Sequence, residues 1–309
     1  MKFNKPNFWD KKLSLISFFL LPLSLISILI IFLKKKFKKE LSFEIPIICV
    51  GNIYIGGTGK TPTSIFLAKE LLNKGKKPLI LRKFYNSHKD EYDLIKANFK
   101  NLILDKNRIQ GIIKAKKKGF DSVILDDGFQ EYNIKKDLSI ICFNQNQQIG
   151  NGLIFPAGPL RENLNSLAEA EIVLINGKKN IFFENKIFKI NKDINIFYSK
   201  YKPSNIKQFK NKKLFAIAGI GNPENFFKLL TSCNLNVKKK FIFPDHYEFS
   251  KNEIEKIIGE ASEKKLIPLT SEKDYFRIKK LDMKNINYIK VRLKINEEDN
   301  FLKKIYDLI

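Results

Sequence analysis

The run Gly56-Gly57-Thr58-Gly59-Lys60-Thr61 has the residue types and spacing to hold a polyphosphate. Glycines let a backbone turn tightly enough for its N–H groups to face a phosphate. In such a loop Lys60 reaches the β- and γ-phosphates, and the Thr61 hydroxyl holds Mg2+. The strict pattern has a further glycine where this chain carries Tyr54. The context supports the motif. The apolar run Ile45 to Val50 reads as a strand, and a helical pattern from Pro62 through Leu72 follows, bringing its positive N-terminal end to the loop.

Other constellations fit the same chemistry. Asp126-Asp127-Gly128-Phe129-Gln130 closes the apolar run Val123-Ile124-Leu125. Acidic residues at the end of a buried strand beside a P-loop hold the metal, and Mg2+ prefers hard oxygen ligands. The same letters also read as a plain turn, and the P-loop upstream favours the metal. In Phe155-Pro156-Ala157-Gly158-Pro159-Leu160-Arg161-Glu162, two prolines restrict a loop that ends in a charge pair. It would offer Arg161 to phosphate and Glu162 to metal or substrate; a structural loop leading into a helix start at Asn163 fits the local sequence nearly as well. His246, in Pro244-Asp245-His246-Tyr247, can steer a proton near neutral pH, although a lone loop histidine is more often solvated. Asp90-Glu91 reads equally as surface charge or as a base.

Short apolar runs alternate with helical ones around these motifs. Strands are expected at Lys77 to Leu81, Asn101 to Leu104, Ser122 to Leu125 and Leu138 to Phe143, with a helix over Arg108 to Lys118. Alternation of this kind predicts a parallel sheet covered on both faces. The rhythm lapses over residues 178–210, read as a linker or hairpin. It resumes with a strand at Leu214 to Ala218, a turn, a helix at Glu224 to Leu230, and strands at Phe241 to Phe243 and Leu266 to Leu269. The expected fold is α/β: a P-loop NTPase-like parallel-sheet domain plus a smaller α/β domain, with an N-terminal membrane helix. The boundaries read as anchor 1–40, P-loop domain 41–177, linker or hairpin 178–210 and second α/β domain 211–309.

Leu13 to Leu33 is uncharged, rich in Leu, Ile and Phe, and about the length that crosses a bilayer as a helix. Lys11 and Lys12 precede it; Lys34, Lys35, Lys36, Lys38 and Lys39 follow. The heavier downstream charge favours a catalytic body on the cytoplasmic side. Pro22 and lysines on both flanks leave open a helix that enters without crossing. The 309 residues carry 57 Lys and Arg against 32 Asp and Glu, a net charge of +25. The lysines are spread along the chain and accompany no nucleic-acid-binding motif, so an anionic membrane surface explains them better than nucleic acid, together with plain compositional bias. Cys49, Cys142 and Cys233 stand far apart with no CxxC pair, which reads as free thiols in a reducing compartment.

Taken in order, these motifs resemble the tetraacyldisaccharide 4′-kinase family of lipid A biosynthesis. The resemblance runs from the anchor through Val50-Gly51-Asn52 and the P-loop to Asp126 through Gln130 and Pro156 through Glu162. It continues with Ala218-Gly219-Ile220-Gly221-Asn222-Pro223, Asp245-His246, Thr270 and Glu272-Lys273-Asp274. It implies ATP and Mg2+ as cofactors, a membrane-embedded glycolipid as substrate, and transfer of phosphate to the 4′-hydroxyl of a tetraacylated glucosamine disaccharide 1-phosphate at the inner membrane. It implies Asp90 as the base on that hydroxyl, with His246 paired to it. Gly56, Gly57, Thr58, Gly59, Lys60, Thr61 and Arg161 would bind nucleotide; Thr61, Asp126, Asp127 and Glu162 would bind metal. The chain departs from the family at Leu81-Arg82-Lys83-Phe84, usually Ser-Arg-Gly-Tyr, and at Glu131 and Tyr247, where His is usual. A nucleotide-driven switch or metallochaperone at the membrane is the alternative. It calls for a guanine-reading Asn-Lys-x-Asp and a Cys/His delivery site, and the sequence has neither.

Overall fold

The computed structural model describes residues 5–12, 14–244, 247–283 and 285–309. Two compact units emerge: a larger one of Lys5–Phe84, Phe99–Lys200 and Leu293–Ile309, and a smaller one containing Tyr85–Asn98 and Tyr201–Arg292.

The larger unit begins with α1 (Leu15–Lys36), an apolar helix long enough to cross a membrane and mostly exposed. Strands β1 (Ile47–Gly51), β2 (Pro78–Lys83), β3 (Leu102–Asp105), β4 (Ser122–Asp126), β5 (Leu138–Asn144), β6 (Ile172–Asn176) and β7 (Asn195–Pro203) come next. Their helices are α2 (Lys60–Asn73), α3 (Lys89–Asn98, which belongs to the smaller unit), α4 (Arg108–Lys117) and α5 (Ile181–Phe188). Every residue of β1, β4 and β5 is buried, as both faces of a covered parallel sheet require.

The eight strands run in the order β12-β7-β6-β5-β1-β4-β2-β3, where β12 is Val291–Ile295, followed by α9 (Glu298–Tyr306). Strand β1 lies between β4 and β5, parallel to both, where the chain order turns. Open α/β sheets bind ligands at the strand ends beside that turn. In register, Val50 stands opposite Asp126, so the loop leaving β1 and the end of β4 meet at one edge.

The smaller unit holds four parallel strands in the order β11-β10-β8-β9: β8 (Lys213–Ala218), β9 (Asn236–Ile242), β10 (Ile267–Ser271) and β11 (Asn287–Ile289). Its helices α6 (Pro223–Ser232), α7 (Lys251–Glu263) and α8 (Glu272–Lys279) start at side-chain caps. Ser250 and Glu253 form a reciprocal capping box on α7, and Asn222 caps α6 ahead of Pro223.

Three stretches differ from their sequence reading. Leu293–Ile309, expected in the second α/β domain, carries most of β12 and all of α9 and groups with the larger unit. Residues 178–210 are not a hairpin: they carry α5 and β7, and β7 pairs parallel with β6. Its residues are mostly half-buried, which blurs the apolar signal of a core strand. The segment Tyr85–Asn98 groups with 201–292, although it sits in sequence between β2 and β3.

Candidate active site

The loop after β1 is held open by a buried amide. Asn52 donates to the Tyr54 carbonyl (2.6 Å) and to Thr58 Oγ1 (3.0 Å), which is itself buried. Gly59 adopts φ +100° as the N-cap of α2, a conformation that favours glycine, and α2 starts at Lys60. Gly56 is also at positive φ, and a Cβ on Gly57 would meet open space. Tyr54, in place of the usual first glycine, is fully buried against Ile154 and Leu160.

Asp126, fully buried, receives the helix. Thr61 Oγ1 donates to its Oδ2 (3.0 Å) and Ser64 Oγ to its Oδ1 (3.1 Å). Arg82 Nη1 donates to the same Oδ2 and to Thr61 Oγ1. Asp127 lies at positive φ beside it and gathers cations on Oδ1: Arg161 at 2.7 Å and Lys60 at 3.5 Å. Burial pushes the Asp127 carboxyl up, but Lys60, Arg161, Arg82 and Arg108 together hold it well below the carboxylate range. Burial lowers the Lys60 amine, with Asp127 opposing. Two carboxylates thus face Lys60, Arg82 and Arg161, leaving positive charge for an anion. Glu162 is buried as well; Gln130 donates to its Oε1 (3.0 Å), and Lys35 stands 2.8 Å from its Oε2.

All the expected nucleotide and metal residues therefore collect in the larger unit, at the edge formed by β1 and β4. Sequence reasoning gave no site role to Asn52 or Arg82, quoted only within longer motifs, and did not single out Ser64 or Arg108. Arg108 donates to the Asp127 carbonyl (2.6 Å) and pairs with Glu131 (3.4 Å). That pairing explains how a glutamate is accommodated at 131. No group of three or more His, Cys, Asp and Glu is assembled for a metal among the described residues.

Asp90 belongs to the smaller unit, where it is nearly fully buried on α3. Arg277 of α8 contacts its Oδ2 through Nε (2.9 Å) and Nη2 (2.7 Å), and Lys273 lies at 3.7 Å. Arg277 was also missed; its signal was a basic residue three after Asp274 on one helix face. His246 lies outside the described residues.

Residues 16–309 match the family model described as tetraacyldisaccharide-1-P 4′-kinase. The chain belongs to that family. It is a phosphotransferase, which sets aside the switch and metallochaperone readings. A Pelagibacter ubique tetraacyldisaccharide 4′-kinase is 42% identical over 316 residues, covering 100% of this chain and 99% of the relative. One from Rickettsia akari is 32% identical, covering 97% of this chain and 96% of the relative. A crystal structure of LpxK from Aquifex aeolicus in complex with ATP shares the fold at TM-score 0.73 and 24% identity, covering 95% of this chain and 99% of that one.

Proposed function

We propose that this chain transfers the γ-phosphate of ATP to the 4′-hydroxyl of a tetraacylated glucosamine disaccharide 1-phosphate, a step in lipid A biosynthesis. The observation that carries the nucleotide end is the 3.0 Å contact between Thr61 and Asp126, with Lys60 on the same loop. Backbone amides of Gly56 to Lys60 and the start of α2 cradle the phosphates. Lys60 and Arg161 stabilise the charge that phosphoryl transfer spreads over the γ-phosphate oxygens.

The donor set fits Mg2+: a hydroxyl and a carboxylate converge, and this ion is commonly held by one or two carboxylates plus substrate phosphates and water. Thr61 and Asp126 would hold it, with Asp127 and Glu162 nearby, and it would neutralise phosphate charge during transfer. Asp90 takes the proton of the 4′-hydroxyl and His246 pairs with it; both roles rest on the resemblance to the family. Helix α1 keeps the enzyme at the inner membrane, where an acylated substrate resides. Lys34, Lys35 and Lys36 in its last turn favour a catalytic body on the cytoplasmic side.

The test is transfer of labelled phosphate from ATP to the tetraacyl disaccharide 1-phosphate in detergent, wild type against Lys60→Ala. Transfer by wild type alone supports the proposal. Nucleotide binding without transfer would point to a different acceptor.

A further inference from the structure

Helix α1 is attached along one stripe and faces outward elsewhere. Leu15, Phe18, Phe19, Leu25 and Ile26 are exposed, whereas Ser17 and Ser24 are buried. Positions 17, 24, 31 and 35 fall on one face at helical spacing. Ser24 Oγ donates to the Ile154 carbonyl (2.8 Å) and accepts from Ala157 N–H (3.0 Å). Asn151 donates to Ser17 Oγ (3.2 Å), and Ile31 packs on Tyr54, Ile154 and Leu160. The stripe ends at Lys35, whose ammonium lies 2.8 Å from Glu162 Oε2, 3.1 Å from Glu169 Oε1, and over the Tyr132 ring.

Glu162 is 1% exposed, and a carboxylate buried to that degree is costly without a cation. From it a continuous polar path runs inward. Gln130 bridges Glu162 (3.0 Å) to Arg161 (3.4 Å), Arg161 reaches Asp127 (2.7 Å), and Lys60 lies on the same Asp127 oxygen (3.5 Å). We infer that Lys35 is a positioning residue for nucleotide binding. Fixing Glu162 fixes the Gln130 amide, which sets Arg161 and Asp127 opposite Lys60. The apolar helix is thereby a working part of the nucleotide site as well as an anchor. The inference rests on the reading of Lys60 and Arg161 as the phosphate cradle.

The test uses the full chain in detergent and compares wild type, Lys35→Met, Lys35→Arg, Glu162→Gln, the double variant Lys35→Met/Glu162→Gln, and Lys60→Ala. The readouts are equilibrium affinity for a fluorescent ATP analogue, kcat and KM for ATP, and the thermal midpoint. Lys35→Met should weaken nucleotide affinity about tenfold, the scale of coupling within one polar network. KM for ATP should rise in parallel, with kcat changed less, and Lys35→Arg should restore most of the affinity. In the double variant the two losses should be less than additive, because no buried charge is left unpaired. A fall in thermal midpoint with affinity unchanged in Lys35→Met would overturn the inference and leave Lys35 a structural contact. Should Lys35→Met fail to fold, unchanged affinity in Glu162→Gln would overturn it equally. If Lys60→Ala also binds normally, the cradle reading itself fails, which separates the two failures.

Discussion

Arg277 places two nitrogens, Nε at 2.9 Å and Nη2 at 2.7 Å, on a single oxygen of Asp90. Its remaining nitrogen, Nη1, donates to the Gly219 carbonyl (2.7 Å) and to Asp274 Oδ1 (2.9 Å). Asp274 is in turn held by the Gly219 N–H and Ser271. One guanidinium thus ties the aspartate of α3 to the turn after β8 and to the first turn of α8, with charge-assisted bonds that fix both charge and orientation.

If Asp90 takes the acceptor proton, Asp90→Ala should lower kcat by about 10²–10⁴-fold with ATP affinity kept, the usual span for a general base. Arg277→Met should also lower kcat while leaving KM for ATP in place. Lysine cannot reproduce the paired donors, so Arg277→Lys should rescue only in part. Steady-state kinetics on purified variants decide this, and full turnover by Asp90→Ala would remove Asp90 from the mechanism.

The features legible in sequence are those carried by local pattern. The P-loop and the apolar helix each rest on one contiguous stretch with a strong pattern, and the acidic end of β4 was read from its place beside the P-loop. Partners brought from far along the chain were not legible. Nothing near Arg82 says that it will reach Asp126, and nothing near Lys35 points to Glu162. Strand β7 escaped for another reason. Its alternation of Tyr, Ser and Lys is that of a half-buried strand, and such a pattern resembles a hairpin until its parallel partner β6 is known. Segment 85–98 shows that sequence neighbours need not share a compact unit.

Asp127 should set part of the acid limb of stability. Its folded pKa lies below the ordinary carboxylate value of about 3.9, so its contribution is present above that value. It is lost as pH falls from there toward the lower folded value. Asp127→Asn should therefore narrow the stability gap between about pH 5 and pH 2 relative to wild type. Thermal midpoints across that range provide the check; identical acid limbs would contradict the assignment.

Cys49 and Cys142 are buried in β1 and β5, and burial pushes both thiols up to about 12. Because the thiolate is the nucleophile, both should be inert toward iodoacetamide at pH 8 in the native protein. Cys233 is only partly buried and should label first. Mass mapping of alkylated peptides before and after denaturation checks the order, and rapid native labelling of Cys142 would contradict the packing of β5.

Ser24 separates anchoring from docking. Valine in its place would make α1 more apolar, so membrane association should persist. The same change removes the acceptor for the Ala157 N–H, leaving that buried group unpaired, and one of two donors to the Ile154 carbonyl, which keeps the Gly158 N–H at 3.1 Å. An unpaired buried N–H costs roughly 1–3 kcal/mol. Ser24→Val should therefore lower the thermal midpoint by several degrees while the protein still fractionates with membranes. Ser24→Thr keeps the hydroxyl and should recover much of the loss. The loop it braces turns at Gly158, where a Cβ would lie 2.3 Å from the Leu153 carbonyl oxygen, so the backbone has little freedom to find other partners. An unchanged midpoint for Ser24→Val would mean that the helix is only a tether.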